Sequence, residues 1–118
     1  MQQADKAGLK YSSVESELYL GQALAEIHDL PHARQEVDRA LLRSDKLGQQ
    51  ALSARAHSLL GTMARETKDS SGARENFLWV VNTVNTMKKD QGAEKLLQRE
   101  DMKRMYDQAA EGSKGPGM

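Results

Sequence analysis

Two stretches decide how this chain folds: Leu20-Gly21-Gln22-Ala23-Leu24-Ala25-Glu26-Ile27-His28-Asp29-Leu30-Pro31-His32-Ala33-Arg34, and its counterpart Leu60-Gly61-Thr62-Met63-Ala64-Arg65-Glu66-Thr67-Lys68-Asp69-Ser70-Ser71-Gly72-Ala73-Arg74. They lie 40 residues apart and share Leu-Gly at the start, Glu and Asp in the middle, and Ala-Arg at the end. Carried outward at the same offset, the match adds Asp5/Asp45, Lys6/Lys46, Gly8/Gly48 and Ser13/Ser53. That makes ten identities without a gap, where roughly two or three would arise from average residue usage. Val37/Phe77 adds an apolar match. The chain therefore contains an internal repeat, the pattern to look for before single elements.

Each copy reads as helix, turn, helix. Leu20, Leu24 and Ile27 recur at the spacing of one helical face, and Leu60, Ala64 and Thr67 take the same places. Asp29-Leu30-Pro31 and Asp69-Ser70-Ser71-Gly72 end the first helix and open the second, with proline suited to a first helical turn. Val37, Ala40, Leu41 and Ser44, then Phe77, Val80, Val81 and Val84, form the second faces. Gly21 and Gly61 fall mid-helix, where glycine costs about 1 kcal/mol against alanine. The expected reason is close approach of the paired helix, with Ala33 or Ala73 facing the glycine. Gly8 and Gly48 are expected at the repeat junction.

The order Leu20-Gly21, Leu24, Ala33, Val37, Ala40, repeated as Leu60-Gly61, Ala64, Ala73, Phe77, Val80, resembles the tetratricopeptide repeat. Glu17 and His57 stand where that family carries a large residue, the closing proline is absent, and the period is 40. The family's usual period is about 34 residues, so the resemblance is to its extended variants. It implies an all-α superhelix of antiparallel hairpins with a C-terminal capping helix.

Helices are expected over 14–28, 31–46, 49–67, 71–88 and 91–111. Residues 1–111 then form one repeat domain: a partial unit over 1–12, units over about 14–47 and 49–88, and the capping helix over 91–111. The last is marked by a Met102, Met105, Tyr106, Ala109 stripe among charged residues. Residues 112–118 read as a flexible tail. Because residues 4–9 align with 44–49, the chain reads as a fragment of a longer protein, with a short natural N-terminal helix as the alternative. The stretch from Lys95-Leu96-Leu97-Gln98-Arg99 through Met105-Tyr106 resembles the ends of repeat regions in bacterial kinases and regulators, which implies a bacterial source.

Composition narrows the function. Lys+Arg and Asp+Glu both number 17, so no net charge steers the chain toward nucleic acid or an anionic membrane. It has no cysteine, which excludes thiolate chemistry and cysteine-based zinc sites and fits a reducing, cytoplasmic setting. No apolar run approaches the roughly 20 residues of a membrane helix. His28 and His32 are four apart, but Pro31 lies between them, so they read as turn histidines and no metal site is expected. No serine has a nucleophile-elbow setting and no phosphate-binding glycine loop occurs. No catalytic residue and no cofactor are expected. Trp79 lies beside the Phe77/Val80 stripe and reads as packing or as an interface residue.

The resemblance implies a protein or peptide partner in a concave groove lined by the first helices of each unit. By position the groove residues are Glu15, Leu18, Tyr19, Gln22 and Glu26, then Arg55, Ser58, Leu59, Thr62, Arg65 and Glu66. Gln98, Met102 and Met105 are expected to extend it. Leu18 and Gln22 occupy places where some family members carry carboxylate-clamping residues, so a different ligand is expected. The reading is a non-catalytic interaction scaffold within a larger signalling or regulatory protein. The alternative is a structural element that self-associates into a homo-oligomer.

Overall fold

Three helix ends in this chain are built the same way. At each, one residue takes a left-handed conformation: His28 at φ 65°, Gly48 at φ 68° and Lys68 at φ 63°. The amide of the next residue then reaches back five residues, from Asp29 to the Leu24 carbonyl, Gln49 to Ser44 and Asp69 to Ala64, at 2.8–3.0 Å. The left-handed residue itself bonds three residues back, to Ala25, Asp45 and Arg65. This paired closure satisfies carbonyls that a helix end would otherwise leave bare. The next helix starts at once, with Ala33 and Ala73 donating to the carbonyls of Asp29 and Asp69 at 2.9 and 3.0 Å.

The computed structural model describes residues 2–91 and 100–113, and for 2–8, 88, 90, 91 and 100–102 the backbone alone. These residues form α1 (Gln2–Glu26), α2 (Leu30–Leu47), α3 (Gln50–Glu66), α4 (Ser70–Gln91) and α5 (Glu100–Ser113). The described structure is all-helical and packed helix to helix, without strands among those residues. None of the described helices is long and apolar enough to cross a membrane.

The first helix differs from the 14–28 expected for it. It runs unbroken from Gln2 through Gly8, so the stretch read as a partial unit continues into the first unit as one helix. Gly48 takes the left-handed conformation that ends α2, whereas its counterpart Gly8 lies within helix. At the other end α4 continues to Gln91 and α5 extends through Gly112 and Ser113, two residues into the expected tail. Residues 92–99 and 114–118 lie outside the described residues, and with them part of the expected capping helix and most of the tail.

Packing divides the chain into two units, residues 1–56 and 57–118, with the division inside α3. In unit 1, α1 packs on α2. The buried face of α1 is Val14, Leu18 and Gly21, and that of α2 is Ala33, Val37, Ala40 and Ser44. A Cβ on Gly21 would stand 2.6 Å from the Val37 Cγ2 methyl and 3.4 Å from the Ala33 carbonyl oxygen. The mid-helix glycine thus buys close helix approach, and the side chain facing it is Val37 rather than Ala33. This also corrects the first apolar face. Leu20 and Ile27, expected in the core, are 49% and 71% exposed, because the packed face is centred on the glycine and not on the leucine before it.

Unit 2 uses the same positions 40 residues on. Gly61 meets Phe77, with a Cβ placed 2.8–3.0 Å from three ring atoms, while Ala73, Phe77, Val80 and Val84 are buried on α4. Here α5 also packs on α4. A Cβ on Gly112 would overlap the other edge of the Phe77 ring, so two glycines hold one fully buried ring between α3 and α5. Ala109 is buried on α5, Met105 and Tyr106 are half-buried, and the Tyr106 hydroxyl donates to Asn85 Oδ1 at 3.3 Å. Burying a side chain of Val, Leu or Phe size contributes about 1.5–3 kcal/mol, so these stripes carry most of each unit's stability.

Candidate functional site

The polar positions that close each hairpin follow the repeat as well. In unit 1, Glu17 on α1 accepts from Arg43 at 3.0 Å and from Arg39 at 3.5 Å, and Arg43 also donates to the Ser13 hydroxyl at 2.8 Å. In unit 2 the equivalents of Glu17, Glu36 and Arg39 are His57, Asn76 and Trp79. His57 stacks on Trp79 with ring centroids 4.0 Å apart, and its Nδ1 lies 2.8 Å from Asn76 Oδ1. Asn76 is oriented by its own Nδ2, which donates to the Gly72 carbonyl at 2.8 Å, so Nδ1–H of His57 is the donor to Oδ1. One pair of positions is joined by charge in the first hairpin and by rings in the second. Trp79 is therefore committed to its own hairpin.

In unit 1 the nominated surface lies along one face of α1. Glu15, Tyr19, Gln22 and Glu26 follow one another at helical spacing, and Tyr19, 55% exposed, presents its ring beside Gln22 and Glu26, both exposed. Arg55 comes up from the start of α3, its guanidinium 5.6 Å from the Tyr19 ring centroid and 3.8 Å from Glu15. Cation, ring and carboxylate form one half-open cluster. Leu18 is not part of it. It is 1% exposed, lying four residues after Val14 and three before Gly21 on the face toward α2, so its assignment to the groove is corrected to core.

In unit 2 the nominated residues do not form one surface. Ser58 is buried at the position equivalent to Leu18, a second correction with the same cause. Leu59 and Thr62 are half-buried, and the Thr62 hydroxyl turns back to the Ser58 carbonyl at 3.0 Å. Glu66 is exposed. Arg65 extends to place its guanidinium 4.9 Å over the Phe77 ring, at the edge of a cleft of about 190 Å³ between α3, α4 and α5. Gln98 and the Met102 side chain lie outside the described residues, and Met105 is half-buried on α5.

The turn residues His28, His32 and Asp69 are engaged locally. His28 is the left-handed residue ending α1, while His32 donates from Nδ1 to the Asp29 carboxylate at 2.8 and 3.0 Å. Asp69 instead accepts from the Gly72 amide at 3.0 Å, capping α4. No cluster of three His, Cys, Asp or Glu side chains able to hold a metal occurs among the described residues. Residues that sequence reasoning passed over are Lys68, Ser70, Glu111 and Gly112 around the cleft. Their only signal was that Gly112 ends an apolar stripe.

No protein-family model, curated protein or solved structure matches the chain.

Proposed function

We propose that this chain is a non-catalytic helical-repeat scaffold of tetratricopeptide type that holds an extended segment of a protein partner along the exposed face of α1. The observation that carries the reading is the repetition of one hairpin geometry at an offset of 40: glycine against Val37 and Phe77, and the same left-handed turn at His28 and Lys68. Repeats of this kind spend their apolar faces on neighbouring helices and leave a side-chain surface free for a ligand. Tyr19, Gln22, Glu26, Glu15 and Arg55 supply that surface in unit 1. Its ring, paired charges and amide suit a polypeptide better than a nucleic acid, since acidic side chains stand at both ends of the stripe.

A photo-crosslinking residue at Gln22, compared with one at exposed Gln35 on α2, tests this in the native cell. The reading expects one discrete adduct from position 22 and none from 35. Equal adducts, or none from 22, contradict it.

A second reading is favoured by a specific observation: Leu20 and Ile27, with half-buried Leu24 between them, leave an apolar stripe on α1. A second copy of the chain pairing through this stripe would cover it. Sedimentation of the wild type and of Ile27→Glu distinguishes the two. Self-association requires a concentration-dependent dimer that the substitution abolishes, and a monomer at all concentrations removes it.

A further inference from the structure

Helix α1 carries a face that the packing of its own hairpin does not use. Leu9, Ser16 and Ala23 recur every seven residues, and so do Ser13, Leu20 and Ile27. Interleaved at spacings of four and three, they form the two-position heptad seam of a coiled coil, about 27 Å long. All six are exposed, Leu9 at 70%, Ile27 at 71% and Leu20 at 49%. None is charged, in a chain where 29% of residues are. The seam lies more than a third of a turn round the helix from Val14, Leu18 and Gly21, the residues that face α2.

The order of residues along the seam is self-complementary. About Leu18 as midpoint, Leu9 mirrors Ile27, Ser13 mirrors Ala23 and Ser16 mirrors Leu20. Laid antiparallel on a second copy with two-fold symmetry, each mirrored pair becomes one layer of contact. Large meets large at the two ends, where Leu9 faces Ile27. In the layers between, Ser16 makes room for Leu20, and Ser13 and Ala23 let the helices approach.

We propose that two copies of the chain pair antiparallel along this seam. The proposal rests on the self-association reading above and gives it a register. The flanking positions accept that register: Tyr19 meets its own counterpart, Ser12 lies beside Glu26, and Lys10 lies beside Leu24. Like charges approach only at Glu17, whose carboxylate is already bonded to Arg39 and Arg43. Closing the seam buries on the order of 1,000 Å² over both copies, the lower bound for a specific contact, so the dimer is weak. Gln22 and Glu26 stay uncovered on the same side of both copies. The two faces proposed to hold a partner then adjoin across the two-fold axis.

The chain has no cysteine, so thiols can be introduced singly. Ser13→Cys and Ala23→Cys proteins, alone and mixed, are treated with a short bismaleimide. The register sets Ser13 beside the second copy's Ala23 and keeps like positions about 15 Å apart along the axis. The expected result is linked dimer from the mixture and little from either variant alone. Sedimentation of the unlinked wild type should give a dissociation constant of about 10–100 µM. Leu9→Glu should weaken it at least about tenfold, and Leu42→Glu, at a leucine 59% exposed on α2, should leave it unchanged. A monomer at all concentrations up to about 1 mM overturns this pairing and the self-association reading together. A dimer in which either variant links as well alone as in the mixture, or which Leu42→Glu weakens as much as Leu9→Glu, overturns the pairing alone.

Discussion

Replacing Gly21 by alanine sets two effects against each other. Alanine at a mid-helix position stabilises the isolated helix by about 1 kcal/mol. Against this, the new methyl would lie 2.6 Å from Val37 Cγ2 and 3.4 Å from the Ala33 carbonyl oxygen. Val37 cannot turn away, because a β-branched side chain in a helix has one strongly preferred rotamer. Forcing a methyl into a packed contact costs typically about 1–3 kcal/mol, and with a fixed rotamer the upper part of that range applies. Gly21→Ala should therefore destabilise the protein by about 1–2 kcal/mol despite its better propensity. Removing the obstacle tests the cause. In a Val37→Ala background the same substitution should regain the propensity term and become stabilising by about 1 kcal/mol, a coupling of about 2–3 kcal/mol in a double-mutant cycle. Urea unfolding followed by far-ultraviolet circular dichroism reads these values, and unchanged m-values show that the denatured state is not the source. A Gly21→Ala protein more stable than the wild type, or a cycle without coupling, would refute the close approach of α1 and α2.

The other substitutions probe the second hairpin and the turns. Gly61→Ala should destabilise more than Gly21→Ala, because the Phe77 ring it meets is blocked on its far edge by Gly112, and chemical denaturation of both variants ranks them. Lys68→Gly and His28→Gly should raise the thermal midpoint, gaining up to about 1 kcal/mol by relieving a left-handed residue, whereas Gly48→Ala should lower it by a similar amount. Asp69→Ala should cost about 1 kcal/mol through the lost cap on Gly72, and Asp29→Ala less, because that carboxylate is turned to His32, a difference visible in the same melts. Glu17→Gln should lose up to about 1 kcal/mol at low salt and less at high salt, since its bonds to Arg39 and Arg43 are ionic, whereas His57→Ala should change the emission of Trp79, the sole tryptophan, without salt dependence.

How far the sequence reveals this molecule depends on which residues carry the signal. The turns were legible, because Pro31 in the first turn of α2 and the Asp69 cap on Gly72 mark helix starts through local chemistry. The second faces were legible too: Val37, Ala40 and Ser44, and Phe77, Val80 and Val84, are apolar or small at one spacing and are buried. The first face was misread by one position. Leu20-Leu24-Ile27 is the more hydrophobic stripe, yet the packed one is Val14-Leu18-Gly21, since a residue without a side chain adds nothing to an apolar pattern and still sets where two backbones meet. That shift also moved Leu18 and Ser58 from the expected groove to the interior. Tyr19 and Arg55, far apart in the chain, are brought together where α3 begins. The cleft of unit 2 was not legible, because Arg65, Ser70 and Glu111 are far apart in the chain and only the docking of α5 gathers them.

The central claim is that one hairpin geometry occurs twice, with a glycine of the first helix pressed against the residue sixteen positions on, Val37 for Gly21 and Phe77 for Gly61. Nuclear Overhauser spectroscopy of the labelled protein tests it most directly. The account predicts strong cross-peaks from the Gly21 α-protons to a Val37 methyl and from the Gly61 α-protons to the Phe77 ring. Absence of either cross-peak, or contact of Gly21 with Leu41 in place of Val37, would contradict it.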